Sequence, residues 1–144
     1  MTDAERLFLD TNVLLAATDR SRSRHADSIS LIEASVQRSV RLFLSGQVLR
    51  EYLVVATRPV AQNGLGLDPQ EANRNLGTFL QVAQLLPENA DTARILRELV
   101  VHHALSGKRI HDAGIVATML SHGLRDLKTW NPDEFSPFAE LRLL

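Results

Sequence analysis

The sequence predicts an α/β fold of the three-layer α/β/α type, with a short parallel central sheet of about four or five strands and about six or seven helices. Short apolar runs alternate along the chain with longer amphipathic segments, which is the pattern of a parallel sheet covered by helices on both faces. The chain has 144 residues, of which 44% are hydrophobic, so we expect residues 1–144 to form a single soluble domain.

The first half of the chain predicts two strands, each followed by helices. The predicted elements are a strand at 7–9, a helix from 11, a helix at 25–39, a strand at 41–44 and a helix at about 47–57. Ile29, Ile32 and Val36 recur at three- and four-residue steps, so we expect them on the buried face of the second helix. Pro59 should end the third helix.

The second half predicts the remaining strands and helices. They are a helix at 69–82, a strand at 84–87, a helix at 89–105, a helix at 112–122, a strand at 127–129, a turn at 130–133 and an edge strand at 141–144. Asp68 as a cap before Pro69 is the clearest helix start in the sequence. Gly123 suits the end of a helix because glycine readily adopts a left-handed conformation.

The composition excludes several classes of function. The chain has no cysteine, which rules out disulfides, thiol catalysis and cysteine-ligated zinc. No apolar run approaches the ~20 residues that cross a bilayer, and the first residues are polar and acidic, so we expect a cytoplasmic protein without a membrane partner. The net charge is −1, so any contact with nucleic acid must come from a local basic patch.

Four oxygen-bearing residues are placed where a parallel sheet can gather them. Asp10 follows the first strand, and ligands bind at the carboxyl edge of such sheets. Glu51 lies in a helix among mostly apolar neighbours, where a carboxylate is costly unless it is paired, hydrogen-bonded or bound to a metal. Asp112 opens a helix of small and apolar residues, and Asn131 follows the fourth strand.

Each of these residues also has a simpler explanation. Asp10 and Asp112 are suitable helix caps. Glu51 can form a salt bridge or reach solvent. An Asn-Pro turn accounts for much of the polar group around Asn131.

As a set, the residues predict metal-dependent chemistry. Carboxylates that are gathered without a cation raise one another's pKa, and a hard divalent cation removes that cost. Ligand sets made only of oxygen select Mg²⁺ or Mn²⁺ over zinc or copper. Such an ion can polarise a phosphoryl oxygen and lower the pKa of a bound water, so the predicted reaction is phosphodiester hydrolysis.

The order of these motifs resembles the PIN domain, and in particular the VapC-type toxins of bacterial toxin-antitoxin pairs. The matching segments are LDTNVLL at 9–15, VLREYL at 48–53, HDAGIVATML at 111–120 and TWNPDEF at 129–135. The resemblance implies a compact α/β/α sandwich, a metal-dependent endoribonuclease activity on RNA, and a cognate VapB-type antitoxin. It also implies a homodimer within the toxin-antitoxin complex.

The resemblance assigns roles to individual residues. Asp10, Glu51 and Asp112 match the catalytic acids of the family, with Asp10 and Asp112 as metal ligands that Glu51 and Asn131 can join. The hydroxyl positions of the family correspond to Thr11 and Thr129.

The chain departs from the family pattern at one position. Many members carry Asp where this chain has Asn131, which keeps an oxygen but removes a negative charge. Asp133 and Glu134 are both candidates to supply the missing charge.

Several basic residues are candidates for RNA contacts, and for each of them a solvated surface charge is the alternative. They are Arg20, Arg22, Arg24, Arg58, Lys108 and Arg109. The five histidines have no zinc-ligand spacing, and His111 is of interest because it adjoins Asp112.

Two other functions compete with a ribonuclease. Phosphatases of the haloacid dehalogenase class also begin with a strand that ends in Asp, but they need a second Asp two positions later, where this chain has Asn12. A PIN-like module that binds RNA or a partner without cleavage is the other alternative, and Asn131 favours it.

Overall fold

The computed structural model describes residues 5–144, and its sheet has five strands in the order β3-β2-β1-β4-β5. The strands are β1 (Arg6–Leu9), β2 (Arg41–Ser45), β3 (Ala83–Leu86), β4 (Asp126–Lys128) and β5 (Arg142–Leu143). Every neighbouring pair is parallel. This arrangement confirms the predicted parallel sheet, including the last edge strand.

The helices lie between the strands in sequence, and the first three connections between strands each carry two α-helices. They are α1 (Thr11–Thr18), α2 (His25–Gln37), α3 (Gly46–Thr57), α4 (Pro69–Leu80), α5 (Ala90–His102), α6 (Arg109–Ser121) and α7 (Pro132–Phe135), with a short 3-10 helix at Val60–Gln62. The predicted start of α4 is confirmed, since the Asp68 side chain accepts a hydrogen bond from the Gln70 N–H.

The direction of the chain explains the three layers. From β1 the chain moves outward to β2 and β3, and it then returns to the other side of β1 to form β4 and β5. Crossovers between parallel strands are right-handed in about 98% of cases, which puts α1 to α4 on one face of the sheet and α5 to α7 on the other.

The core is centred on β1, which explains why its sequence is continuously apolar. β1 pairs with β2 on one side and β4 on the other, and Phe8 and Leu9 are almost fully buried. A central strand with helices above and below has no solvent-facing side, so both faces must be apolar. One connected cluster of buried side chains fills the space between the layers.

Three local predictions are wrong. α6 begins at Arg109, so Asp112 lies inside its first turn and does not cap it. The segment at 130–133 is not only a turn, because α7 begins at Pro132. In α2 Ile32 packs against the core as predicted, but Val36 is 49% exposed and the buried residues are Ser28 and Ser35. These small serines let α2 pack closely, and Ser28 Oγ accepts a hydrogen bond from the indole N–H of Trp130 at 2.9 Å.

None of the helices in residues 5–144 is both long and apolar enough to cross a membrane.

Candidate active site

The candidate site lies at the carboxyl edge of the sheet, between β1 and β4. These strands are neighbours in the sheet although most of the sequence separates them, and the order of connection reverses at this point. Ligands of open α/β sheets bind at such a reversal. Asp10 follows β1 and Thr129 follows β4, so their side chains meet here.

Asp10 is almost fully buried and both of its carboxylate oxygens are hydrogen-bonded. Its Oδ1 accepts the Thr11 backbone N–H at 2.7 Å and its Oδ2 accepts the Thr129 hydroxyl at 2.8 Å. The pKa of Asp10 is raised to about 6, mainly by burial and to a lesser extent by the charges of Glu51 and Glu134, although the hydrogen bonds from Thr129 and Thr11 lower it. Asp10 also caps α1, as the simpler interpretation of its sequence position predicted.

Glu51 is joined to Asp10 through Thr11. The Thr11 hydroxyl donates to Glu51 Oε2 at 2.8 Å, and Gln47 Nε2 donates to Glu51 Oε1 at 2.9 Å. Gln47 lies one turn before Glu51 in α3, which puts the two side chains on the same face of the helix. The salt bridge that the sequence left open as an alternative does not form among residues 5–144: the carboxylate is held by a hydroxyl and an amide.

Gln47 also connects α3 to α6. Its Nε2 donates a second hydrogen bond to the His111 carbonyl at 2.7 Å, directly before Asp112. A Cβ on Gly114 would lie 2.6 Å from Gln47 Oε1, so a larger residue at this position would displace the amide from α6. Gln47 therefore fixes the position of the helix turn that carries Asp112.

Asp112 interacts with the other acidic residues of the site electrostatically. The pKa of Asp112 is raised to about 6, first by burial and then by the charges of Glu134, Asp10 and Glu51, while the Arg109 guanidinium lowers it. The structure therefore brings Asp10, Glu51 and Asp112 within electrostatic range of one another, together with Glu134.

The polar residues that follow β4 differ in how strongly they affect the acidic residues of the site. Glu134 raises the pKa of both aspartates, whereas Asp133 is absent from the causes of either shift. Asn131 is exposed, and its backbone N–H donates to Thr129 Oγ1 at 3.0 Å. Of the two acids that the sequence left open as substitutes for the missing charge, Glu134 is the one whose charge reaches the site.

Asn12 holds the two strand ends together. Its Nδ2 donates to Thr129 Oγ1 at 3.2 Å, and its Oδ1 accepts the Trp130 backbone N–H at 3.1 Å. The amide therefore needs both its donor and its acceptor, which explains why an Asn stands at this position.

The basic residues singled out in the sequence are dispersed. Arg22 pairs with Asp19 at 3.4 Å, and Arg24 pairs with Asp27 at 3.0 Å. The Arg24 guanidinium also lies 4.8 Å from the centre of the Trp130 ring, next to the site. The other candidates are exposed or at the surface: Arg20, Arg58, Lys108 and Arg109.

Sequence reasoning missed Gln47 and left Glu134 undecided. Gln47 carried a usable signal, because it lies four residues before Glu51 on the same helical face. Its second bond to α6 had no local signal, since it depends on how two distant helices pack. Glu134 lies in a short helix where the sequence predicts a turn.

The donor set suits a hard cation held by few protein ligands. As the side chains stand, no three acidic or histidine side chains among residues 5–144 are close enough together to hold one ion. Mg²⁺ is usually bound by one or two carboxylates, with waters and substrate oxygens completing its shell. Asp10 and Asp112 are the two carboxylates that suit such a site, and their pKa values are raised first by burial and then by the charges of neighbouring acids, both of which a bound cation would offset.

Comparisons with known proteins agree on the fold. The chain resembles VapBC2 from Rickettsia felis bound to a promoter DNA fragment, with 17% identity over 96% of this chain and 97% of that chain and a TM-score of 0.70. It also resembles Mycobacterium tuberculosis VapC20, a sarcin-ricin loop cleaving toxin, with 20% identity over 94% of this chain and 98% of that chain and a TM-score of 0.70. VapBC-1 from nontypeable Haemophilus influenzae is similar at 19% identity over 96% of both chains, with a TM-score of 0.67.

No protein of curated function matches the sequence. The PIN domain family matches residues 7–140, which include Asp10, Glu51, Asp112 and Glu134. Because this match spans nearly the whole sequence, the chain belongs to the PIN domain family.

Proposed function

We propose that this protein is a Mg²⁺- or Mn²⁺-dependent endoribonuclease and the toxin of a toxin-antitoxin pair. The observation that carries the proposal is the meeting of four acidic charges, those of Asp10, Glu51, Asp112 and Glu134, at the point where the sheet reverses its order. Such a concentration of negative charge is unfavourable in the protein alone and favourable once a divalent cation binds.

The residues have separate tasks in this proposal. Asp10 and Asp112 would hold the cation. A bound Mg²⁺ would supply Lewis acidity at a phosphoryl oxygen and a water of lowered pKa. The Thr11 hydroxyl and the Gln47 amide orient Glu51, and the Thr129 hydroxyl orients Asp10. These bonds keep the carboxylates fixed while substrate and cation bind.

The toxin role rests on the similar structures. They include VapBC complexes and a toxin that cleaves the sarcin-ricin loop. By analogy, we expect a VapB-type antitoxin to bind this chain and a homodimer to form within the complex.

A PIN domain that binds RNA without cleaving it is the second candidate. The observation in its favour is that Asn131 replaces an acid and its side chain is exposed. Membership of the PIN family leaves the phosphatase alternative without support, and Asn12 is occupied by its bonds to Thr129 and Trp130.

RNA cleavage with and without divalent cations tests the proposal. We expect cleavage with Mg²⁺ or Mn²⁺, none with a chelator, and a loss of at least about 100-fold in Asp10→Asn and Asp112→Asn, since even outer-shell changes at metal sites cost 10- to 100-fold. Asp126→Asn is a matched control, because Asp126 begins β4 at the opposite edge and pairs there with Arg142.

Two results would count against a ribonuclease. One is cleavage by Asp10→Asn at the wild-type rate. The other is a folded wild-type protein that binds RNA but cleaves none with either cation, which would favour the binding module.

A further inference from the structure

A cavity of about 350 Å³ opens beside Glu51, between α3 and the first turn of α6. Its lining residues are Gln47, Arg50, Glu51, Val54, Val55 and His111. Glu51 lines this cavity and also belongs to the acid cluster, which consists of Asp10, Glu51, Asp112 and Glu134. A group bound in the cavity therefore lies next to any ligand of the cluster. The volume is at the lower end of the ~300–1,000 Å³ range of small-molecule pockets, which suits a single small ring system.

The walls combine apolar surface with planar polar groups. Val54 is 60% exposed and Val55 is half-buried, so α3 presents two neighbouring valines to solvent beside a charged site. Arg50 and His111 are both exposed at the rim. In RNA-binding proteins, unstacked bases lie against Arg guanidinium or His ring planes and against apolar side chains, with hydrogen bonds at their edges.

The acidic residues at the cavity favour a neutral ligand over an anionic one. Glu51 is one of the residues that line the cavity, and Asp112 follows His111 directly in α6. An anionic group such as a phosphate would be repelled by these acids without a cation. A nucleobase is neutral and planar, so it can use the valines and the planar cation without that cost.

The cavity is held rigidly by Gln47. Its Nε2 donates both to Glu51 Oε1 at 2.9 Å and to the His111 carbonyl at 2.7 Å, which fixes the two helices that form the opposing walls. A preformed cavity binds more tightly because less ordering is needed when the ligand arrives.

We infer that this cavity is a nucleobase subsite, which takes a base adjacent to the scissile phosphate and gives the site its preference for sequence. The inference rests on the proposed ribonuclease function for the identity of the ligand. It adds Arg50, Val54 and His111 as specificity residues, none of which is among the acids.

Binding of free nucleosides tests the subsite independently of cleavage, because a nucleoside has no phosphodiester bond. The experiment is a titration of the ¹⁵N-labelled full chain, without metal, with adenosine, guanosine, cytidine, uridine and, as the compound lacking a base, ribose. We expect at least one nucleoside to shift the backbone signals of Val54, Val55 and His111, and ribose to leave them unchanged.

Two matched variants locate the binding. Val54→Trp fills the cavity and should weaken nucleoside binding at least about tenfold, since small changes in an apolar pocket alter affinity by about 10- to 200-fold. Val101→Trp makes the same change at an 82% exposed position on α5, on the other face of the sheet, and should bind as the wild type does. The inference is overturned if no nucleoside shifts these signals, or if Val54→Trp binds as tightly as the wild type.

Mapping of cleaved RNA ends then links the subsite to function. We expect Arg50→Ala and His111→Ala to broaden the base preference at one position next to the cut, and an unchanged preference in both variants would contradict the subsite. A wild-type chain that cleaves no RNA would refute the proposed function, whereas the nucleoside titration would still decide whether the cavity binds bases.

Discussion

The two halves of the acid cluster differ in how they are held. In the anchored half, made of Asp10, Thr11, Gln47 and Glu51, every carboxylate oxygen accepts a hydrogen bond from a neighbouring group. In the open half, made of Asp112, Asn131, Asp133 and Glu134, no side chain forms a hydrogen bond with any part of the chain that the structure describes.

This difference indicates how binding would be organised. The anchored half has a fixed geometry before any ligand arrives, whereas the open half acts on it only through charge. Changes in the anchored half should therefore alter stability and geometry together. Changes in the open half should alter pKa values and cation affinity while the fold stays intact. Four predictions test this contrast.

The largest expected effect is on the stability of Asp10→Asn. Because folding raises the pKa of Asp10 from 3.8 to about 6, the free energy of unfolding of the metal-free wild type falls as pH rises through that interval and stays low above it. The full shift corresponds to about 3 kcal/mol at 1.36 kcal/mol per pKa unit, and loss of one hydrogen bond offsets about 1 kcal/mol of it.

We therefore expect Asp10→Asn to be about 2 kcal/mol more stable than the wild type at pH 8 and no more stable at pH 3. Urea denaturation in the presence of a chelator measures this difference. An equal difference at both pH values would show that ionisation of Asp10 does not strain the fold.

The next effect concerns the link between α3 and α6. Gly114→Ala puts a methyl group 2.6 Å from Gln47 Oε1, and overpacking of this kind costs about 1–3 kcal/mol. We expect lower stability and weaker cation binding, because displacement of Gln47 releases Glu51 and the His111 turn together. Gly77→Ala in α4, where no atom lies within 4 Å of the new methyl group, is the control. If both variants have wild-type stability and cation affinity, Gln47 does not position the site.

A smaller effect is expected from the open half in Glu134→Gln. The change removes a charge that raises the pKa of Asp10 and of Asp112, so both pKa values should fall toward their usual range. NMR titration of the carboxyl carbons measures both, with Asp133→Asn as the matched control, and we expect the larger shift at Asp112. If Glu134→Gln were less stable than the wild type, the division of the acid cluster into an anchored and an open half would be contradicted.

The smallest effect is expected from Asn131→Asp. The side chain is exposed, so an added charge is largely screened by solvent. We expect Mg²⁺ affinity to rise about two- to fivefold, near the 0.3–1 kcal/mol of weak surface electrostatics, with little change in stability. Isothermal titration calorimetry measures the affinity, and a decrease would show that Asn131 contributes more than an absent charge.

The sequence was a good guide where local signals decide the structure. The apolar run before Asp10 favoured a fully buried strand, so the position of that acid at the sheet edge could be predicted from residues 7–15. Glu51 stood out for the same reason, as a charge among apolar neighbours. By contrast, α6 has no side-chain cap, so nothing local marked its start at Arg109 and Asp112 took the role of a cap in the prediction.

Contacts between elements that are distant in the sequence could not be predicted from local sequence patterns. Ser28 is buried beneath Trp130, and the Gln47 amide reaches α6, only because the helices pack in one particular way. Periodicity ranks residues by hydrophobicity, so it favoured Ile29 and Val36 over the small serines that close packing requires.

The hydrogen bond between Thr129 and Asp10 joins residues 119 positions apart. A ribosome that adds about 5–20 residues per second needs roughly 6–24 s to span that interval. Throughout that time β1 has already been synthesised, whereas Thr129, which follows the neighbouring strand β4 and binds Asp10, has not. A ribonuclease assembled in this order, as proposed for this chain, would acquire its active centre only after translation has passed Thr129.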